Sequence, residues 1–330
     1  MMKHRSTLVL SAMIAAALAP AARGADAGAD YPNRPVRMIV PFAPGGASDF
    51  VGRILQPRLG ELLGQQIVVE NRPGASGNIG LDAAAKSAPD GYTVFLGNVG
   101  TVALNPAVFP KLGVTPTKDF IAITQVVDVP GVLVIHPDLK ANTVKDLVAI
   151  AKAYPGKLNY ASPGSGSQNR LEMEVFRRVG GNLDMVHVPY KGGAGPAVAG
   201  LAGGETHMMF VTASSAMTFI KNGRIKLLAV TSSKRLAAFP DTPTMAESGF
   251  PELTSGSWQG VFVPAGTPKE VVDKLYSVLM ETMKTPEVVQ RLGNGGVDVV
   301  TSAPGEFAKF VQGETDRWGK AVKEAGATPD

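Results

Sequence analysis

The stretch that most constrains the fold is residues 36–62, where a strand, a glycine turn and a helix follow one another. Four of the five residues Val36–Val40 are apolar, which predicts a short buried strand. Pro44 and the pair Gly45-Gly46 end it, because proline lacks an amide donor and glycine tolerates unusual dihedral angles. From Ser48 onwards apolar residues recur at helical spacing. The pattern is typical of a βα unit in an α/β protein.

The turn in this unit predicts an anion site. A helix that begins directly after a glycine turn leaves backbone N–H groups unpaired at its N-terminus, where the helix dipole favours negative charge. The spacing of the glycines matches neither the dinucleotide pattern G-x-G-x-x-G nor the phosphate pattern G-x-x-x-x-G-K-[ST]. A small carboxylate is therefore a better candidate ligand than a nucleotide.

Further strands, each followed by a polar turn, recur along the chain. They are predicted at 66–70, 92–96, 158–162, 185–188, 208–212 and 227–231. The loop 97–101 offers amide and hydroxyl groups, and the glycine–serine turn 163–167 leads into a helix to about residue 179. Because ligands of open α/β sheets bind at the carboxyl ends of the strands, these loops are candidate ligand contacts.

The apolar stretches 121–127 and 132–136 flank the turn residues 128–131, where we expect the chain to leave a first domain. It is expected to return near residues 255–258. The predicted first domain is therefore residues 28–127 plus 255–330, and the second is residues 128–254.

Two helix starts carry capping signals. Thr143 with Asp146 three residues later predicts a capping box, and Thr267 with Glu270 predicts another. The second helix, with proline at its first position, is expected to run to about Lys284. Helices at 286–292 and 304–325 are expected to pack on the outside of the first domain.

The N-terminus has the outline of a secretory signal peptide. Residues 1–24 contain a basic start, an apolar run and a small-residue cleavage site, and a second candidate cleavage site follows Ala27. Cleavage before Ala25 removes Lys3, Arg5 and Arg23 and lowers the formal charge from +4 to +1, so the basic composition does not predict nucleic-acid binding. With no cysteine, the exported protein is expected to rely on its core and not on disulfides.

Several of these motifs, taken in order, resemble the Bug family of receptors of tripartite tricarboxylate transporters. They include 39–46 with Asp49, 70–75, 89–92, the glycine–serine turn, 188–192 and 263–268. The resemblance implies an α/β, two-lobed periplasmic-binding-protein fold of type II, a Venus flytrap with its ligand cleft between the lobes. It also implies a ligand held largely by loop backbone and ordered water, and delivery to a membrane permease.

This sequence departs from the family pattern at two positions. Arg170 stands where the family usually has histidine, and Gly200 where it usually has aspartate. Keeping a cation and losing a carboxylate favours a further anionic group on the ligand. We therefore expect a dicarboxylate or an aromatic carboxylate.

The turns and the resemblance together give a set of predicted ligand contacts. These are Phe42, Ala43, Gly45, Gly46, Asn98, Thr101, Ser162, Ser165, Ser167, Gln168, Arg170 and Tyr190. Asp49 is expected to hold turn amides or water and not the ligand itself. Phe42 is alternatively a core aromatic, Ser167 a helix cap and Arg170 a solvated helix residue.

Enzymatic alternatives have little support in the sequence. His136, His187 and His207 lack metal-ligand spacing, and there is neither a G-x-S-x-G motif nor a cysteine. We expect no cofactor, no metal and a monomer that binds a small organic acid. Two other roles stay open: a co-receptor for a sensor kinase, and an exported hydrolase.

Overall fold

The computed structural model describes residues 31–164 and 167–325, so the predicted signal peptide and Ser165 lie outside the described residues. The strands are β1 Val36–Val40, β2 Ile67–Asn71, β3 Thr93–Asn98, β4 Phe120–Ile135, β5 Asn159–Ser162, β6 Val186–Pro189, β7 Met208–Thr212, β8 Lys226–Val230, β9 Gly256–Pro264 and β10 Asp298–Val299. The helices are α1 Ala47–Leu63, α2 Asn78–Ala85, α3 Asn105–Val108, α4 Pro116–Asp119, α5 Val144–Ala153, α6 Gln168–Val179, α7 Ala194–Ala202, α8 Ala213–Lys221, α9 Lys269–Lys284, α10 Pro286–Asn294 and α11 Pro304–Ala325.

The strands form two lobes that share two long strands. In sheet order they run β2-β1-β3-β9-β4-β7-β5-β6, with β8 and β10 also paired to β4. We call β1–β3 and β10 with their helices the first lobe, and β5–β8 with α5–α8 the second lobe. Strand β4 pairs with β9 over 120–130 and with β7 over 131–135, and it thereby connects the lobes.

Strand β4 runs without a break through residues 128–131, where the sequence predicts that the chain leaves the first domain. Pro130 and Gly131 lie inside the strand, at the point where it exchanges β9 for β7 as a partner. Proline is tolerated there because the pairing changes, and the Gly131 N–H donates to Thr231 Oγ1 at 3.1 Å. The predicted domain boundaries fall inside β4 and just before β9.

Apolar side chains cover both faces of the sheet in each lobe. In the first lobe, Val51, Ile54, Leu55 and Leu59 of α1 pack against β1 on one face. On the other face Phe262, Phe307 and Trp318 form a cluster, which places α11 on the outside of the first lobe as predicted. Leu171 of α6 joins the same cluster from the second lobe, so this cluster also connects the lobes. Within the described residues, no helix is long and apolar enough to span a membrane.

One predicted capping box is confirmed and the other is wrong. Thr143 accepts the Asp146 N–H, and the Asp146 carboxylate accepts the Thr143 N–H in return. At α9 the cap residue is Pro268 with no side-chain cap, because the Thr267 hydroxyl donates to the Pro264 carbonyl oxygen in the preceding turn. The predicted end of that helix at Lys284 is confirmed.

Candidate ligand-binding site

A small cavity of about 50 Å³ lies between the lobes, at the carboxyl ends of their parallel strands. Its walls come from the turn after β1, the start of α1, the loop after β3, strand β9, and the starts of α6, α7 and α8. The lining residues are Phe42, Gly46, Ala47, Ser48, Ser76, Asn98, Val99, Gly100, Pro163, Ser167, Gln168, Asn169, Ala194, Thr212, Ser257 and Gln259.

Four helices direct their N-termini at this cavity. The helices α1, α7 and α8 begin after Gly46, Gly193 and Thr212 without a side-chain cap, so their first N–H groups have no intrahelical partner. The α6 terminus is capped by Ser167, whose Oγ accepts the Arg170 N–H at 3.2 Å. The described lining residues include no Lys, Arg, His, Asp or Glu, so an anion in the cavity would meet the positive ends of the helix dipoles and no charged side chain.

The turn after β1 is held by the buried Asp49. Its carboxylate accepts the Gly45 N–H at 3.1 Å, the Arg53 Nε–H at 2.8 Å and the Asn71 Nδ2–H at 3.0 Å. Gly45 has a φ of +89°, a backbone angle that residues with a side chain rarely adopt. Asp49 therefore faces the turn and is not among the residues that line the cavity.

The two residues predicted after β3 have different positions. Asn98 lines the cavity, whereas Thr101 is fully buried behind it. The Thr101 backbone N–H and hydroxyl donate to Asn98 Oδ1 at 3.0 and 3.1 Å. Thr101 thus orients the Asn98 amide.

In the second lobe, Ser167 lines the cavity and also caps α6, so the cap is confirmed and the ligand contact stays a prediction. Ser162 lies behind the turn: its Oγ accepts the Gly164 N–H at 3.1 Å and lies 2.7 Å from His187 Nε2. Gln168 and the neighbouring Asn169 line the cavity.

A buried carboxylate supports these two amides. Glu172 Oε1 accepts Gln168 Nε2–H at 2.9 Å, and Oε2 accepts Asn169 Nδ2–H at 3.0 Å. Ser255 Oγ also donates to Oε1. Burial raises the pKa of the Glu172 carboxyl, and these three side-chain hydrogen bonds oppose the rise.

Arg170 and Tyr190 are not among the residues that line the cavity. Arg170 Nε is 4.0 Å from Glu174 Oε1 one turn further along α6. The Tyr190 hydroxyl donates to Glu205 Oε2 at 2.6 Å, and burial together with this bond raises the Tyr190 pKa to about 12.

The Gly200 position faces the same tyrosine. A Cβ added there would lie 2.1 Å from Tyr190 Oη and 2.9 Å from Glu205 Oε2. Glu205 therefore supplies a carboxylate beside the position where the family usually has aspartate. The departures at 170 and 200 thus do not remove a negative charge from the cavity, and they no longer argue for a further anionic group on the ligand.

The lobes touch directly at one edge of the cavity. The Ala43 N–H donates to the Gly192 carbonyl oxygen at 3.0 Å across the gap. The Gly45 position and Gly195 of α7 approach so closely that a Cβ on Gly195 would lie 2.5 Å from the Pro44 carbonyl oxygen. Phe42 lies between Gly77 and Gly193, where added Cβ atoms would come within 3.2 and 3.0 Å of its ring. The described arrangement is a closed one.

Several lining residues were not predicted. Ala194 follows the turn after β6 and Thr212 is the last residue of β7, so the strand-end rule applied more widely would have found them. Ser257 and Gln259 lie inside β9, and nothing local in the sequence marks a strand interior as a cavity wall.

A larger groove of about 620 Å³ runs between α6 and α11 on the outer surface. It carries charges of both signs, and Arg177 Nη1 pairs there with Glu174 Oε2 at 2.9 Å. The small cavity is the better ligand site, because four helix termini converge there. Within the residues that the structure describes, no cluster of three or more His, Cys, Asp or Glu could hold a metal ion.

Comparison with known proteins supplies the context for this geometry. A family model described as "Tripartite tricarboxylate transporter family receptor" matches residues 51–327. The protein BugT of Bordetella pertussis is 39% identical over 321 residues, which is 96% of this chain and 98% of BugT.

Solved structures agree with the observed fold. The periplasmic binding protein BugD superposes with a TM-score of 0.86 at 35% identity, covering 90% of this chain and 99% of BugD. Rpa4515 of R. palustris with adipate has a TM-score of 0.87 at 34% identity, covering 91% and 100%. MatC of Rhodopseudomonas palustris with bound malate has a TM-score of 0.84 at 32% identity, covering 88% and 100%.

Proposed function

This chain belongs to the family of tripartite tricarboxylate transporter receptors and is a periplasmic solute-binding receptor, and from that premise we propose that it captures a small dicarboxylate and delivers it to a membrane permease. The observation that carries the proposal is the convergence of four helix N-termini on a cavity without charged side chains. Such a cavity stabilises a carboxylate through backbone amides, so no lysine or arginine is required.

The small cavity favours a small acid, and the ligands of the related structures favour an aliphatic acid over an aromatic one. At about 50 Å³ the cavity has room for a few water-sized groups, since one water needs roughly 10–15 Å³. The related structures hold adipate and malate, both of them aliphatic dicarboxylates. We propose that the ligand is an aliphatic dicarboxylate of about the size of malate or adipate, with one carboxylate held by each lobe.

The two lobes are proposed to move about β4 and β9, with residues 28–127 and 255–330 forming one domain and 128–254 the other. Ligand favours the closed form in proportion to its affinity difference between the open and closed states. About 8 kcal/mol of binding free energy corresponds to micromolar affinity, which suits a scavenging receptor. The permease is proposed to recognise the closed form, in which Ala43 and Gly192 are joined.

Titration calorimetry with the purified mature chain tests the ligand class. The panel contains succinate, malate, adipate and citrate, with benzoate and terephthalate as aromatic acids and glucose as a neutral solute. We expect micromolar binding of an aliphatic dicarboxylate and none of glucose. Binding of neutral solutes alone would overturn the assignment, and turnover of any acid would identify an enzyme instead.

Uptake measurements test the delivery step. A strain lacking this chain is expected to lose uptake of the labelled acid identified by calorimetry, and the intact gene is expected to restore it. Normal uptake, with loss of the acid's transcriptional response, would assign the chain to a sensor kinase in place of a permease.

A further inference from the structure

The hydrogen bonds around Glu172 determine the polarity of one wall of the cavity. Glu172 is 5% exposed and accepts an amide N–H from both Gln168 and Asn169. An ionised carboxylate only accepts hydrogen bonds, so each neighbour must direct its NH₂ group towards Glu172. The amide oxygens of the two cavity-lining residues are thereby turned away from Glu172.

One of these oxygens is left without a partner. Gln168 is 5% exposed, and its Oε1 accepts no hydrogen bond within the described residues. Gln259 Oε1, on the strand that lines the same cavity, is also buried and accepts none. A buried acceptor without a donor destabilises the protein, so the occupied cavity should supply a donor.

On these grounds we propose that Glu172 is a positioning residue that orients Gln168 to accept a hydrogen bond from a ligand hydroxyl, so that the receptor prefers hydroxy acids over the corresponding unsubstituted acids. The inference rests on the proposed function, since it concerns the same cavity. A carboxylate of the ligand lies at the helix termini, and its hydroxyl meets the amide wall.

An ammonium group is a less suitable donor at this wall. The lining residues include no carboxylate that would compensate a buried positive charge, and the four helix N-termini repel it. A neutral hydroxyl supplies the donor without that electrostatic penalty.

Three C4 acids that differ at one carbon test the proposal. Calorimetry compares malate with succinate, which lacks the hydroxyl, and with aspartate, which carries an ammonium group instead. We expect malate to bind at least about tenfold more tightly than either, since a hydrogen bond to an otherwise unpaired acceptor contributes on that order. Glutarate and 2-hydroxyglutarate form a second pair for a longer ligand.

Substitutions then assign the preference to residues. In Gln168→Met the ratio of the succinate to the malate dissociation constant should fall to about one, because the acceptor for the malate hydroxyl is lost. Glu172→Met should lower the ratio in the same way. Glu172→Gln should retain it, because an amide oxygen can replace Oε1 and still accept from Gln168 and Ser255. Gln56→Met is the matched control: its amide donates to the Ile67 carbonyl oxygen and it does not line the cavity.

Each contrary outcome has a distinct meaning. Equal affinity for malate and succinate in the unmodified chain would overturn the inference while the proposed function stands, and would indicate that trapped water satisfies Gln168. Tightest binding of aspartate would overturn it as well. Failure to bind any carboxylate would overturn the proposed function together with the inference. Because Gln168→Met tests the hydroxyl contact by itself, the inference stays testable even if Glu172→Met does not fold.

Discussion

At the scale of single residues, the side chains that shape the cavity do so largely from behind it. Asp49 holds the β1 turn, Thr101 orients Asn98, and Ser162 binds the Gly164 N–H. All three are buried polar residues that do not line the cavity. Buried polar groups of this kind are costly to disturb, because their partners then lose hydrogen bonds away from water.

Replacement of Asp49 by alanine should weaken both the fold and ligand binding. The Gly45 N–H and the Asn71 amide would lose their acceptor, which should lower the free energy of unfolding by about 1–3 kcal/mol. Urea unfolding and calorimetry with the best dicarboxylate measure the two effects. As a control, Asp82→Ala removes an exposed ion pair with Lys86, whose loss should lower stability by less than about 0.5 kcal/mol. Equal effects of the two substitutions would show that Asp49 does not hold the turn.

At the scale of elements, the helix starts differ in how their terminal N–H groups are satisfied. The α5 start, on the outside of the second lobe, is closed by a reciprocal capping box. Of the four helix starts at the cavity, α6 is capped by Ser167, whereas α1, α7 and α8 lack a side-chain cap. The uncapped starts leave N–H groups available to an anionic ligand, for which a capping side chain would compete.

The α5 cap should therefore affect stability without affecting binding. Thr143→Ala should lower the free energy of unfolding by about 1 kcal/mol, since Asp146 N–H loses its acceptor. The matched control is Thr285→Ala at the cap position of α10, where no side-chain capping bond is made. Urea unfolding compares the two variants. A change in ligand affinity for Thr143→Ala would show that this helix start is coupled to the cavity.

At the scale of the whole molecule, closure depends on backbone contact between the lobes. The Ala43 N–H bonds to the Gly192 carbonyl oxygen, and Gly195 approaches Pro44 so closely that position 195 has no room for a side chain. An open form would separate these groups, so the residues at positions 192 and 195 affect only the stability of the closed form.

Gly195→Ala should for this reason weaken binding without unfolding the protein. The new methyl group would lie 2.5 Å from the Pro44 carbonyl oxygen in the closed form, whereas alanine is favourable within a helix. We expect at least a tenfold rise in the dissociation constant, equivalent to about 1.4 kcal/mol, with the unfolding free energy unchanged or raised. Gly313→Ala in α11 is the matched control, since nothing lies within 4 Å of its added Cβ. Full affinity in Gly195→Ala would mean that closure does not use this contact.

The sequence by itself determined what local chemistry controls. Apolar periodicity, turn residues and caps predicted most strands and helices, including the exact span of β7 and the ends of α6 and α9. The strand-end rule found Gly46, Asn98, Ser167 and Gln168, because in a parallel sheet the exits of the strands meet at one edge.

Tertiary structure decided the properties that depend on partners distant in the chain. Residues 128–131 separate two apolar stretches in the sequence, but pairing of β4 with β9 and then with β7 joins both stretches in one strand. Arg170 follows the glycine–serine turn that borders the cavity, yet the orientation of α6 places its Nε near Glu174. Glu205 supplies a carboxylate beside Gly200, which has none of its own. Which side chain lines a cavity, and which supports it from behind, depends on how two lobes meet, and residues 43 and 192 meet only after folding.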